Sequence, residues 1–396
     1  MTKLLFIDRF FYPDLQATSV LLTDLVEETS KSFSCEVLSG PPSGFKSKQE
    51  KIFPFVKTIP AFQFGKKYRI GRILNYLSFL FVAFLTLLFH LKVDLVIVQT
   101  TPPLLPWVVS LVCRLRGFPY IYVANDIFPE TALRSGELHY NFLTQWLARL
   151  NLSAFHHASF VVVIGRDMKE VLVERGFPAR KIEIIPNWVN AQEIIPVPKK
   201  NKYSLTHNLS DFFVVMHAGN FGCLQDFGLM LETAKLLADE KRFRLVLVGD
   251  GAAKESVINQ MKKQELGNVI FLPFTERSEL SELLASADIH LVSLKRGLAG
   301  YSIPSKTYPI MASARPILAL LERKSETARV VEEAECGAVM ESAHAGEIAT
   351  FIRELMAKPK KLEEWGKNGR AYIEKMDLRK TAFKKYREVF LKASGK

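Results

Sequence analysis

Short apolar runs alternate along the chain with longer segments whose apolar residues recur every three or four positions. In the first half the runs fall near residues 3–8, 35–38, 94–98, 120–123, 159–164 and 181–185, with helical periodicity near 17–30, 73–89, 104–116, 139–154 and 166–175. Strand-length runs separated by helix-length segments are the pattern of a parallel sheet with crossover helices. Pro186-Asn187-Trp188-Val189-Asn190 breaks the pattern, and residues 194–203, with Pro196, Pro198 and several lysines, read as a linker. A second series follows, with strands near 212–217, 244–248, 269–272, 289–294 and 316–319 and helices near 228–239, 254–264, 277–285 and 305–312. A chain of 396 residues also exceeds what one hydrophobic core usually serves. The pattern therefore predicts an α/β protein of two Rossmann-like, doubly wound domains, residues 1–195 and 204–376. The basic amphipathic segment within 377–396 is expected to cross back toward the first domain. Open parallel sheets bind ligands beyond the carboxyl ends of their strands, so two such domains imply a central cleft.

One interval departs from the rest. Residues 73–89 are almost wholly apolar, and between Lys46 and Arg72 eight basic residues stand against Glu50 alone, a net charge of +7. The whole chain carries +12, so over half of its excess charge lies in this stretch. Basic residues beside an apolar segment favour an anionic membrane surface over nucleic acid. The apolar run is near the lower limit of about 17–25 residues for crossing a bilayer. A crossing helix, however, would leave the strands at 94–98 and 120–123 on the opposite side from the first strand and split its sheet. The expectation is a crossover helix within residues 46–91, partly buried and partly laid on the membrane. Crossing the membrane, or burial on all sides, are its alternatives. The apolar N-terminus is interrupted by Asp8 and Arg9 and reads as a first strand, not a signal peptide. The widely spaced Cys35, Cys113, Cys223 and Cys336 fit neither a zinc site nor a disulfide scaffold, which points to the cytoplasm and to no metal.

Candidate chemistry lies where strands give way to turns. His217-Ala218-Gly219-Asn220-Phe221-Gly222 and Val248-Gly249-Asp250-Gly251 follow strands, and glycines there permit tight turns that bring backbone N–H groups toward an anion at a helix start. Ser302-Ile303-Pro304-Ser305-Lys306 reads as the start of a helix with Lys306 in its first turn, where an ammonium meets phosphate. In the first half, Asn125-Asp126-Ile127-Phe128-Pro129-Glu130 brings two carboxylates to the end of a strand, suited to acid/base work or hydroxyl binding. Each has a plain structural reading as well: a glycine turn, an ordinary helix cap with a solvated lysine, and a turn cap beside a Glu130–Arg134 ion pair.

These segments, with Phe10-Phe11-Tyr12-Pro13-Asp14, Thr101-Pro102-Pro103 and Ile185-Pro186-Asn187-Trp188-Val189, resemble in order and spacing the retaining glycosyltransferases of family 4. The likeness is to the bacterial polysaccharide branch, typified by colanic acid and N-acetylfucosamine transferases, and covers nearly the whole chain. The resemblance implies a GT-B fold and a nucleotide-sugar donor, a UDP-sugar, held by the second domain. It also implies a glycan acceptor on the first domain, lipid-linked through a polyprenyl carrier, and no cofactor or obligatory metal. It places the donor at Gly219, Asn220, Gly222, Gln225, Gly249, Phe274, Ser305 and Lys306, the catalytic carboxylates at Asp126 and Glu130, and the acceptor side at Asp14 and Thr18. Two departures stand out. Pro309 occupies the position where many members have a glutamate that holds the donor ribose. Asn220 and Gln225 replace an arginine and a lysine, leaving Lys306, with Lys295 or Arg296, to supply positive charge.

The expected reaction is sugar transfer with retention, by an enzyme lying peripherally on the inner face of the cytoplasmic membrane and serving surface polysaccharide or lipopolysaccharide synthesis. Its rivals are a UDP-sugar 2-epimerase on the same fold and a non-catalytic membrane-surface binding protein. A dinucleotide-dependent oxidoreductase is disfavoured because Asp8-Arg9-Phe10-Phe11-Tyr12-Pro13, and no Gly-x-Gly-x-x-Gly, follows the first strand.

Overall fold

The computed structural model describes residues 1–42, 53, 55–62, 69–90 and 92–395, with the backbone alone at 69, 70 and 72. Of the basic stretch, Lys46, Lys48, Lys51, Lys66 and Lys67 and the side chains of Arg69 and Arg72 lie outside the described residues.

In the first domain the strands are β1 (Lys3–Asp8), β2 (Ser34–Ser39), β3 (Val56–Thr58), β4 (Leu95–Gln99), β5 (Tyr120–Ala124), β6 (Phe160–Val163) and β7 (Ile182–Ile184). Its helices are α1 (Ala17–Thr29), α2 (Arg69–Leu88), α3 (Leu105–Arg116), α4 (Glu130–Ser135), α5 (Phe142–His157) and α6 (Arg166–Glu174). The second domain opens with α7 (Lys202–Thr206) and carries β8 (Phe213–Ala218), β9 (Phe243–Val248), β10 (Val269–Leu272), β11 (Ile289–Ser293), β12 (Ile317–Leu320) and β13 (Gly337–Val339). Its helices continue with α8 (Phe227–Leu236), α9 (Lys254–Lys263), α10 (Leu280–Ala285), α11 (Thr307–Ala312), α12 (Glu326–Glu333), α13 (Ala345–Met356) and α14 (Pro359–Met376), and α15 (Leu378–Ala393) closes the chain.

Among the described residues all strand pairs are parallel, in the orders β3-β2-β1-β4-β5-β6-β7 and β10-β9-β8-β11-β12-β13. Each sheet is wound outward in both directions from its first strand. That reversal leaves a crevice at the carboxyl ends of β1 and β4 in one sheet and of β8 and β11 in the other. The side-chain alternation of β1 shows how each sheet is covered on both faces. Leu4 and Phe6 join a core that runs on into the second domain, while Leu5 and Ile7 join the core under α2, α3 and α5.

The chain crosses back at its end. After α14 the backbone turns at Asp377 (φ +39°), and α15 lies against α1 of the first domain. Arg379 Nε donates to Asp24 Oδ2 at 2.9 Å, Trp188 Nε1 donates to the same oxygen at 2.7 Å, and the ring of Phe390 meets Phe6 edge-on at 6.0 Å.

Helix α2 is amphipathic in an unusual sense, since both of its faces are apolar. Phe79, Leu80, Ala83 and Leu87 are buried on the sheet, whereas Ile73, Leu74, Leu77 and Phe81 are exposed, Phe81 by 63%. Burial on all sides is thereby ruled out. Among the described residues no helix is long and apolar enough to cross a membrane. Helix α3 packs against both α2 and α5, and around the start of α5 Tyr140, Phe142, Leu143 and Trp146 are exposed as well, Phe142 by 80%.

Candidate functional site

The turns that follow β8 and β9 interlock. Phe221 N–H donates to the Asp250 carbonyl at 2.8 Å and Ala253 N–H to the Phe221 carbonyl at 2.9 Å, so neither turn holds its shape without the other. Glycine is required for this approach. A Cβ on Gly249 (φ +141°) would stand 1.9 Å from the Gly219 carbonyl oxygen, and one on Gly251 (φ +151°) 2.5 Å from that of Phe221.

The arrangement differs from a helix-start anion cradle. Helix α8 begins only at Phe227, and the carboxylate of Asp226 already occupies its N-terminus, accepting from Leu229 N–H at 3.0 Å. Gly222 N–H is likewise engaged, donating to Gln225 Oε1 at 3.1 Å, so Gln225 braces the turn. Asn220 packs beside Gly251, where a Cβ would stand 2.6 Å from Asn220 Oδ1.

The cation at this turn comes from elsewhere in the sequence. Helix α11 starts at Thr307, two residues later than expected, so Lys306 is its capping residue and Ser305 lies before it. Lys306 Nζ reaches under Gly219, 3.3 Å from where a Cβ would be, and lies 3.0 Å from Nε2 of His217. His217 is fully buried at the end of β8, its ring edge-on to Phe221 and Phe227. Removal from water pushes Lys306 down to about 7; the same burial, and next the nearby Lys306 charge, push His217 well below the usual histidine range. Among the described residues no carboxylate forms an ion pair with Lys306. Of the other expected cations, Lys295 is half-buried and its N–H donates to the Leu224 carbonyl at 2.8 Å, whereas Arg296 is exposed.

Between β11 and α11 the loop at 297–303 leaves its own domain and docks on the first. Ser302 forms an isolated antiparallel bridge with Asp126, and Ile127 N–H donates to the Tyr301 carbonyl at 2.9 Å. The carboxyl of Asp126 is pushed up to about 6, chiefly by burial, with a hydrogen bond from Ser302 acting the other way. Farther along, Asp167 Oδ2 at the start of α6 accepts from Gly300 N–H at 3.0 Å and from Glu326 N–H at 2.9 Å, clamping the domains together. Arg166 adds an ion pair to Glu326 at 2.9 Å.

Glu130 belongs to this clamp. Its Oε1 is paired with Arg175, not Arg134, and its Oε2 is buried without a hydrogen-bond partner. The Tyr301 ring lies between the two arginines, 4.2 Å from the Arg134 guanidinium and 5.4 Å from that of Arg175, and its hydroxyl accepts from Arg134 Nη2 at 3.1 Å. The structure thus brings Gly219, Asn220, Gly222, Gln225, Gly249 and Lys306 to one turn and joins Asp126 to the loop that leads to Lys306. It does not bring Phe274 there. Phe274, half-buried beyond β10, lines a separate cavity of about 300 Å³ with Tyr203, His207, Glu279 and Glu282.

On the first domain Asp14 is buried and Thr18 stands half-buried in the first turn of α1. Beside Asp14 lie Asp8 and Arg9, to which the sequence pattern assigns no place in the site. Asp8 is fully buried at the end of β1 and pushed up to about 8 by loss of water, one of its oxygens accepting from Phe10 N–H at 2.7 Å. Arg9 Nη1 donates to the Pro41 carbonyl at 2.7 Å, and its guanidinium lies 5.6 Å from the centre of the Phe79 ring on α2.

The sequence profile described as Glycosyl transferases group 1 matches residues 201–372, and that described as Glycosyltransferase Family 4 matches residues 19–193. The chain belongs to the glycosyltransferases of the GT-B type. This glycosyltransferase is 31% identical over 248 residues to a Pseudomonas aeruginosa protein named as a glycosyltransferase, WbjE, covering 62% of this chain and 61% of that one. It is 27% identical over 212 residues to WcaI of Escherichia coli (strain K12), named for glycosyl transfer in colanic acid biosynthesis, covering 52% of each. The matches thus span less than two thirds of either relative's length. In fold it is similar to Anabaena HepE in complex with UDP-glucose, with a TM-score of 0.76 at 16% identity over 98% of this chain and 99% of HepE. It is also similar to WaaG, a glycosyltransferase involved in lipopolysaccharide biosynthesis, with a TM-score of 0.72 at 14% identity over 98% of this chain and 99% of WaaG.

Sequence reasoning quoted His217 only as the opening of a glycine turn. The signal it carried was a histidine near the end of an otherwise apolar strand. For Asp8 and Arg9 the signal was two charges directly after the first apolar run.

Proposed function

We propose that this glycosyltransferase moves a sugar from a UDP-sugar to a glycan acceptor with retention of configuration and without a metal ion. Lys306 carries the reading. A part-buried lysine with no carboxylate partner among the described residues, set under a turn that admits only backbone, is complementary once protonated to an anion arriving from the cleft. The diphosphate of a nucleotide sugar is such an anion, and UDP-glucose bound to HepE supports UDP as its nucleotide.

As the sugar–phosphate bond breaks, negative charge grows on the departing phosphate, and protonated Lys306 stabilises it there. The acceptor hydroxyl attacks from the same face and gives its proton to the leaving phosphate oxygen, so the sugar keeps its configuration. Asp126, raised only to about 6, is ionised at neutral pH and steadies positive charge at the sugar carbon while Ser302 holds its orientation. Glu130, committed to Arg175, supports the clamp and not the chemistry.

The acceptor is a lipid-linked glycan on the cytoplasmic face of a membrane. The exposed apolar residues of α2 and of the start of α5 support this, as does the basic sequence that precedes α2. Pairing Phe81→Glu with Phe142→Glu is expected to abolish co-sedimentation with anionic vesicles; unchanged sedimentation would remove the membrane from the proposal.

The deciding experiment is mass spectrometry of the protein with membrane extract and a panel of UDP-sugars, with and without EDTA. UDP release coupled to a mass gain on a lipid-linked acceptor, insensitive to EDTA, is the expected result. Conversion of the donor without acceptor would replace transfer by epimerisation.

A further inference from the structure

The contact between His217 and Lys306 is unusual because neither group has a counter-ion among the described residues. Nζ of Lys306 lies 3.0 Å from Nε2 and 3.4 Å from Nδ1 of His217, against a ring that is itself inaccessible to water. Two cations at that separation would repel strongly in a poorly solvated site. At least one is neutral in the empty protein. The ring is fixed: it sits on β8 with Phe221 and Phe227 against it and Gly219 following two residues on. The lysine side chain is the flexible partner.

We propose that His217 is a positioning residue for Lys306, holding its neutral amine under the Gly219 turn in the empty site and releasing it to the donor diphosphate, so that donor binding takes up a proton. The proton comes from solvent and adds to the Nζ lone pair. No covalent bond to the protein is made or broken, and His217 stays neutral throughout. This inference rests on the donor-site reading above.

His217 approaches Lys306 from β8, and His290 on β11 is also fully buried and pushed down to about 4, chiefly by loss of water and in small part by the charges of Arg315 and Lys306. The glycine turn contributes backbone and the amide of Asn220. With Lys306 itself pushed down to about 7 by burial, the empty site holds mostly neutral amine at pH 8. A bound diphosphate reverses the preference by placing negative charge beside Nζ. Affinity for the diphosphate therefore falls as pH rises above about 7, by up to about tenfold per unit, until the pKa of the bound state is reached.

Calorimetric titration of the full chain with UDP at pH 8, in two buffers of different ionisation enthalpy, reads proton uptake directly. The phosphate of UDP contributes little at this pH, since such groups ionise near about 6. The expected result is uptake of about one half to one proton per UDP bound. Lys306→Arg, charged at every accessible pH, is expected to bind UDP with almost no uptake. His217→Phe is expected to weaken UDP binding about 3- to 10-fold and to change its pH profile, while His217→Gln, which restores an acceptor, recovers most of the affinity. If the native protein binds UDP with no buffer dependence, the proton-linked role of His217 is overturned alone. Equal losses in the Phe and Gln variants with an unchanged pH profile would reduce His217 to a packing residue. If the native protein binds no UDP at all, the donor-site reading fails and the inference with it.

Discussion

The two sides of the interdomain loop hold charge in opposite ways. On the second domain Lys306 sits beside a buried histidine, with no carboxylate among the described residues to neutralise it. On the first, Glu130 is locked to Arg175, and the aromatic ring of Tyr301 fills the space between that pair and Arg134. Both are partly withdrawn from water, so exposure alone does not separate them. The difference is compensation. A charge whose partner is already present is compensated within the fold, and replacing either member leaves the other uncompensated and destabilises it. A basic group held without a partner is driven toward its neutral form in the empty protein and regains its charge when a ligand brings the counter-charge. Asp126 stands between the two cases, engaged by one hydroxyl and pushed up to about 6 by burial.

That contrast is tested most severely at Asp126. Asp126→Asn is expected to lower transfer by about 10²–10⁴-fold and leave UDP affinity within about threefold. Native-like turnover would return Asp126 to the structural class. The pH dependence follows from the sign of its shift: the ionised form is the active one, so transfer rises with pH through about 6, and the Asn variant lacks this limb in a pH–rate profile. Next in size is Lys306→Ala, which is expected to weaken UDP binding about 30- to 150-fold, the worth of a charge-assisted contact, with little change in unfolding midpoint. Glu130→Gln reverses the pattern. It leaves the Arg175 guanidinium without its counter-charge and is expected to lower unfolding free energy by about 1–3 kcal/mol in denaturant titration, with UDP affinity almost unchanged. Smallest is Tyr301→Phe, where loss of a hydroxyl that accepts from Arg134 is expected to lower stability by about 1 kcal/mol.

Which elements were legible in the sequence follows from how much of their signal is local. The strands of both sheets announce themselves because a strand covered by helices on both faces must be apolar throughout, as Leu95–Gln99 and Phe213–Ala218 nearly are. The edge strands β3 and β13 were not legible: each has three residues, two of them exposed in β3 and two only half-buried in β13, and they exist because β2 and β12 offer them an edge. Helix α4 was hidden because its six residues carry too little periodicity to show. The start of α11 was misplaced by two residues, since Pro304 and Ser305 have the composition of a cap but the chain turns into the helix only after Lys306.

The same distinction governs the site. Composition and local pattern determined that the chain is α/β, that it has two doubly wound halves, and that glycine turns and carboxylates stand at strand ends. These are consequences of the period and polarity of neighbouring residues. That His217 and Lys306 touch across 89 positions, and that Glu130 finds Arg175 and not the nearer Arg134, was decided by tertiary structure alone. The physical reason lies in winding and docking. Strand order places β8 beside β11, so the chain ends leaving those two strands share one crevice. The loop from β11 then reaches into the first domain and fixes which charges are compensated and which remain open to a ligand.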